Sequence, residues 1–175
     1  MIEIPLVLIA ICLVALAVWS LWIEPSQIRF NNHSIYIKNW PQELAGFSIA
    51  FITDPHVGGP HITLNVMRDI VTRINTLKPD LILLGGDYIM HGVIRIICWK
   101  KSISNQVAAE LSKLQAPHGV FGVLGNHDWR DGGERIIGEM TNHSIRMLED
   151  DAKHIKIGND GFWMVGISDY YEAAH

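Results

Sequence analysis

Three short polar clusters carry the residue types that could do chemistry: Thr53-Asp54-Pro55-His56, Gly85-Gly86-Asp87-Tyr88 and Gly125-Asn126-His127-Asp128. Asp54, Asp87 and Asn126 offer oxygen donors, and His56 offers an imidazole. That mixture suits Mn²⁺, Fe or Zn²⁺ better than an all-carboxylate Mg²⁺ site or a thiolate zinc site. One carboxylate can bridge two cations a few ångströms apart. Such a pair can orient a water, lower its pKa and neutralise charge on a phosphoryl group. Taken singly, each cluster has a plainer reading: Asp54 as a helix cap, Asn126-His127 as a turn. Their joint placement argues against caps.

That placement follows from the elements between them. Phe47 to Thr53, Leu81 to Leu84 and Val120 to Leu124 read as buried-type strands. Between the first two, Ile62, Val66, Ile70 and Ile74 recur at helical spacing, with Leu77 closing the stripe and Lys78-Pro79-Asp80 ending it. A second stripe runs Ile103, Val107, Leu111, Leu114, until Pro117 and Gly119 break it. The order strand, helix, strand, helix, strand predicts parallel strands joined by right-handed crossovers. Each polar cluster then sits at a strand's carboxyl end, where open α/β sheets bind ligands. A third helix is expected within Glu134 to Leu148, and Ile155–Ile157 and Phe162–Ile167 flank a tight turn at Asn159-Asp160-Gly161. Ile28–Phe30 and Ser34–Lys38 are expected to form a small hairpin around Asn31-Asn32-His33.

Hydrophobic residues make up 49% of the 175, and the excess sits at the start. Ile4 to Ile23 carries no charge, is bracketed by Glu3 and Glu24, and places Trp19 and Trp22 at an interface. Such a run spans a bilayer core of about 30 Å as a helix. A cleaved signal peptide would need a basic leader, and only Met1, Ile2 and Glu3 precede the run, although Ala15-Leu16-Ala17 spells a cleavage-like site. The expected organisation is a single-pass cell-membrane anchor over residues 1–25 and one domain over 26–175. Arg29 and Lys38 lie C-terminal to the span, which favours the cytoplasm for that side. Cys12 in the span and Cys98 in the domain make no disulfide framework. A net charge of −4 gives no reason to expect nucleic-acid binding.

Asp54-x-His56, Gly86-Asp87 and Gly125-Asn126-His127-Asp128 resemble, in order and context, the signature of the calcineurin-like metallophosphoesterases over about residues 47 to 170. With the anchor, the chain is similar to the membrane-anchored bacterial phosphodiesterase branch, whose relatives include UDP-diacylglucosamine hydrolases. The resemblance implies an α/β fold, a two-sheet sandwich of which this chain would hold the first half. It implies two divalent metal ions (Mn, Fe or Zn) that activate a hydroxide against a phosphodiester, phosphomonoester or pyrophosphate, small or lipid-linked. Asp54 and His56 would bind the first ion, Asp87 would bridge, and Asn126 would bind the second. His127 would protonate the leaving oxygen, and Asp128 would orient His127 through a ring nitrogen.

Two departures stand out. The family's further acid three residues after the bridging Asp is Met90 here, followed by His91. The later Gly-His-x-His element has no counterpart, and after Gly161 the only histidine is His175. The domain is therefore expected to be C-terminally incomplete and inactive alone. The alternative reading is a catalytically dead fragment, or a membrane-anchored pseudo-enzyme serving as a binding module.

Overall fold

The computed structural model describes residues 3–90 and 102–169; His91, Cys98 and His175 fall outside the described residues. The chain divides into two units, residues 1–36 and 37–175.

In the first unit, α1 (Glu3–Val18) continues through a π-helical turn at Trp19–Ile23 and a 3₁₀ turn at Glu24–Ser26. Ile4–Ser26 forms one apolar helical segment of 23 residues, long enough to cross a bilayer, with none of it buried in the protein. The expected hairpin is corrected: residues 27–38 carry no strand. Ile35 is 82% and Tyr36 96% exposed, so the segment has no apolar surface against which a lone hairpin could be held.

The second unit is built on β1 (Ile49–Ile52), α2 (Leu64–Leu77), β2 (Leu81–Leu84), α3 (Ser104–Leu111) and β3 (Val120–Gly122). Next come α4 (Asn126–Arg130), α5 (Gly133–Asn142), β4 (Arg146–Met147), β5 (Asp151–Ile157) and β6 (Asp160–Gly166). Strands β1-β2-β3-β4 lie in that order and all pair in parallel, with Ile49 opposite Leu81 and Ile82 opposite Val120. The hairpin β5-β6 forms a second, antiparallel sheet. The helix expected within Glu134 to Leu148 is α5, which ends at Asn142, and the chain then re-enters the sheet as β4. Ser144 at φ 63° makes that turn, and two residues are too few to leave a periodic signal in the sequence.

Side chains alternating along β2 divide the core. Leu81 and Leu83 pack with Phe47, Phe121 and Leu148 against Ile155, Ile157, Phe162 and Met164 of the hairpin. Ile82 and Leu84 point the other way and are buried. Buried Met67, Val71 and Ile74 of α2, Val107 and Leu111 of α3, and Ile136 and Met140 of α5 form the helical layer. Thr63 caps α2 by accepting the Val66 amide at 3.3 Å, and Lys78 in the left-handed region ends it. Arg68 of α2 and Lys113 both grip Glu110 of α3, at 2.9 and 2.7 Å.

Candidate metal centre

All three polar clusters lie at the carboxyl edge of the parallel sheet, and the backbone brings them within reach of one another. Beyond the ends of β1 and β2 the chains stay zipped together. Asp54 N donates to Gly86 O at 3.0 Å, His56 N to Asp87 O at 3.0 Å, and Val57 N to Tyr88 O at 2.9 Å. The β2 and β3 loops meet through two glycines. A Cβ on Gly86, which sits at φ 91°, would collide with the Gly125 backbone, and one on Gly125 would collide with the Asp87 side chain. Only glycine at both positions lets the two loops close.

This geometry places one ligand-capable atom each from His56, Asp87 and His127 within 4.8 Å of one another, the one such group of histidine, cysteine and carboxylate side chains among the described residues. His56 Nε2 lies 3.6 Å from Asp87 Oδ2 and 3.9 Å from Asp54 Oδ1. The His56 and His127 rings meet edge to face, with centroids 4.8 Å apart. Asp87 is 7% exposed, and its Oδ1 accepts the His127 amide at 2.9 Å. Asp54 is the outlying member: its side chain is 61% exposed, and its second oxygen accepts from Thr53 Oγ1. Asn126 opens α4, beside His127.

Asp54, His56 and Asp87 all hold left-handed backbone, at φ 53°, 43° and 54°. For non-glycine residues this conformation costs about 1–3 kcal/mol each, and it persists only where the surrounding structure imposes it. Here the cross-loop hydrogen bonds hold it in place. The donor set fits a divalent ion. His56 Nδ1 is buried with no hydrogen-bond partner, and a buried carboxylate faces two imidazoles.

Asp128, expected to orient the His127 ring, makes its described hydrogen bonds to backbone amides. It is fully buried, and its carboxylate accepts the Tyr88 amide at 3.0 Å and the Gly125 amide at 3.1 Å. It thereby ties the β2 loop to the first turn of α4. Burial raises its pKa to about 6 against the pull of the Gly125 amide, and the charge of Asp87 adds to the rise. Tyr88 Oη donates to Val123 O at 2.7 Å from a fully buried position and closes the same joint from below. Arg130, directly after the cluster, is exposed, and Trp129 packs its ring on Gly133. Among the remaining histidines, His118 lies beside Phe47, and His154 lies on β5 against Trp163. Met90 follows the Val57–Ile89 bridge, and its amide donates to Val57 O at 3.0 Å.

Comparison with known proteins agrees with this arrangement. The profile of the calcineurin-like phosphoesterases matches residues 47–170. Phosphodiesterase YaeI of Escherichia coli is 30% identical over 151 residues, covering 85% of this chain and 52% of YaeI. The UDP-2,3-diacylglucosamine pyrophosphatase LpxG of Chlamydia trachomatis is 27% identical over 113 residues, 64% of this chain and 32% of LpxG. A transmembrane protein with metallophosphoesterase domain from Danio rerio is 26% identical over 123 residues, 70% of this chain and 26% of that protein. The chain thus spans about half or less of the length of these relatives. The match runs over the whole parallel sheet, its three polar edges and the antiparallel hairpin, and on that basis the chain belongs to the calcineurin-like phosphoesterase family.

Proposed function

We propose that the chain hydrolyses phosphodiesters, phosphomonoesters or pyrophosphates at a two-metal centre. Asp54 and His56 hold one ion, Asp87 bridges, and Asn126 holds the other. The observation that carries this reading is the convergence of His56, Asp87 and His127 within 4.8 Å at the sheet edge where Asp54 and Asn126 also stand. Bound divalent ions would supply Lewis-acid charge against the phosphoryl oxygens and lower the pKa of water. His127 delivers a proton to the leaving oxygen, and Asp128 fixes the helical turn from which His127 projects. Arg130, exposed next to this group, offers a forked contact to a phosphate.

The apolar segment Ile4–Ser26 and the lipid-linked substrate in the name of LpxG support a lipid-linked phosphate compound as substrate. In this reading the chain is a single-pass protein of the cell membrane, with its catalytic domain on the cytoplasmic side, where Arg29 and Lys38 lie.

Donor number sets how firmly the ions are held. Asp54, His56 and Asp87 offer three protein donors to the first ion, whereas Asp87 and Asn126 offer two oxygens to the second. The second ion is then held weakly, and turnover by the 175-residue chain by itself is low. The test is hydrolysis of an aryl phosphodiester with Mn²⁺ by the detergent-solubilised chain, and by the same domain in a protein of the relatives' length. We expect activity that rises in the longer protein and disappears with His127→Ala or Asp87→Ala. Mn²⁺ binding without turnover in either length would favour a binding module instead.

A further inference from the structure

The fourth strand ends at the same sheet edge as the three polar clusters, and the residue that follows it takes no part in the site as described above. Leu148 N donates to Gly122 O at 2.8 Å, which extends the β3–β4 pairing past Met147 and sets Glu149 level with the start of the metal loop. There Glu149 Oε1 accepts the Leu124 amide at 2.6 Å. Leu124 immediately precedes Gly125-Asn126-His127-Asp128. The other carboxylate oxygen, Oε2, accepts from the Ser168 hydroxyl, and Asp150 Oδ1 accepts the Ser168 amide at 3.0 Å. Ser168 lies just beyond β6, whose last residue, Gly166, sits so close to Leu148 O that a Cβ there would overlap it. One carboxylate thus joins the β3 loop of the parallel sheet to the end of the antiparallel hairpin.

The consequence concerns the geometry of Asn126 and His127. Their loop is fixed on one side by Asp128, which bonds the Gly125 and Tyr88 amides, and on the other by Glu149, which bonds the Leu124 amide. A charge-assisted bond to a backbone amide is stronger than a neutral one, and this one is half-buried, where water competes less. Resting on the metal-centre reading above, we propose that Glu149 is a positioning residue. It sets the height of the Asn126–His127 turn against Asp87 and couples that turn to the hairpin through Ser168. Removing it would leave each ligand present but the second ion's donors displaced.

The test is Glu149→Leu in the full chain in detergent, with two readouts. In the metal-free protein, backbone hydrogen exchange should speed up about tenfold across residues 124–128 while α2 keeps its wild-type protection. Mn²⁺ affinity, followed by electron paramagnetic resonance, should fall about tenfold or more, as for other groups that hold metal ligands in place. Glu149→Gln keeps an acceptor for the Leu124 amide and should restore most of both. Wild-type exchange and wild-type affinity in Glu149→Leu overturn the inference. So does an equal loss in Leu and Gln variants with exchange accelerated throughout the chain, which is the pattern of a merely structural residue. If Glu149→Leu does not fold, Ser168→Ala removes only the hydroxyl donor and should weaken Mn²⁺ binding about threefold; unchanged affinity there overturns the inference. A wild-type chain that binds no Mn²⁺ defeats the metal-centre reading itself, and this inference with it.

Discussion

Asp87 meets more of the site than any other side chain: one oxygen takes the His127 amide, the other faces His56, and the residue itself holds a left-handed backbone. Asp87→Ala removes a proposed ligand of both ions, so Mn²⁺ affinity should fall by more than the roughly 10–100-fold that a supporting residue costs. Isothermal titration of wild type and variant checks this. Gly86→Ala probes the other requirement, close approach. The left-handed backbone alone costs alanine about 1–2 kcal/mol, and the collision with the Gly125 backbone adds to it. Gly86→Ala should therefore lower the thermal midpoint and weaken Mn²⁺ binding together, whereas Gly138→Ala, in the exposed interior of α5 with room for the new Cβ, should leave Mn²⁺ binding unchanged and raise the midpoint slightly. The identities of Asp54, His56, Asp87, Asn126 and His127 were legible in the sequence because each follows an apolar strand. Their backbone conformations were not, because positive φ at Asp54, His56 and Asp87 arises from hydrogen bonds between loops more than thirty residues apart. The bond from Thr53 to Asp54 and the contacts of Glu149 were not legible for the same reason. A threonine or glutamate acquires its role only from the partner that folding brings to it.

At the scale of elements, an ionic joint ties α2 to α3 in the helical layer. Glu110 accepts from Arg68 and Lys113, and those bonds keep its carboxyl below the ordinary value of 4.5, the Arg68 bond contributing most. A carboxyl depressed in the folded state stabilises it above the unfolded pKa, and that stability is lost as pH falls through the folded pKa. Glu110→Gln should therefore lower the urea midpoint near neutral pH, with the difference from wild type shrinking as pH falls through the lowered folded pKa. A difference that persisted in acid would assign the effect to packing and not to charge. The strands and helices with clear apolar periodicity, β1 to β3, α2 and α3, were legible within a few residues. The short strand β4 was not anticipated, and the hairpin around Asn31 was misread. Strand β4 is only Arg146–Met147, too short to show alternation. The segment around Asn31 has strand-like spelling, but its Ile35 and Tyr36 find no surface to cover. Alternation predicts a strand only where a second layer exists to bury one of its faces.

At the scale of the whole molecule, the chain carries an apolar segment and a sheet whose carboxyl edge gathers candidate metal donors. Removing residues 1–26 should shift the protein from the carbonate-resistant membrane fraction to the soluble one, because that segment is the one among the described residues that is long and apolar enough to span. A mature N-terminus found after Ala17 would instead identify the segment as a cleaved leader. The central claim is that His56, Asp87 and their neighbours form a divalent-metal centre, and metal stoichiometry in the purified full chain tests it most directly. Mn²⁺ titration followed by electron paramagnetic resonance should show bound Mn²⁺ in the wild-type chain, and its loss in an equally folded Asp87→Ala variant. A folded wild-type chain that takes up no Mn²⁺, Fe or Zn²⁺, or an Asp87→Ala variant that binds as well as wild type, would contradict the account.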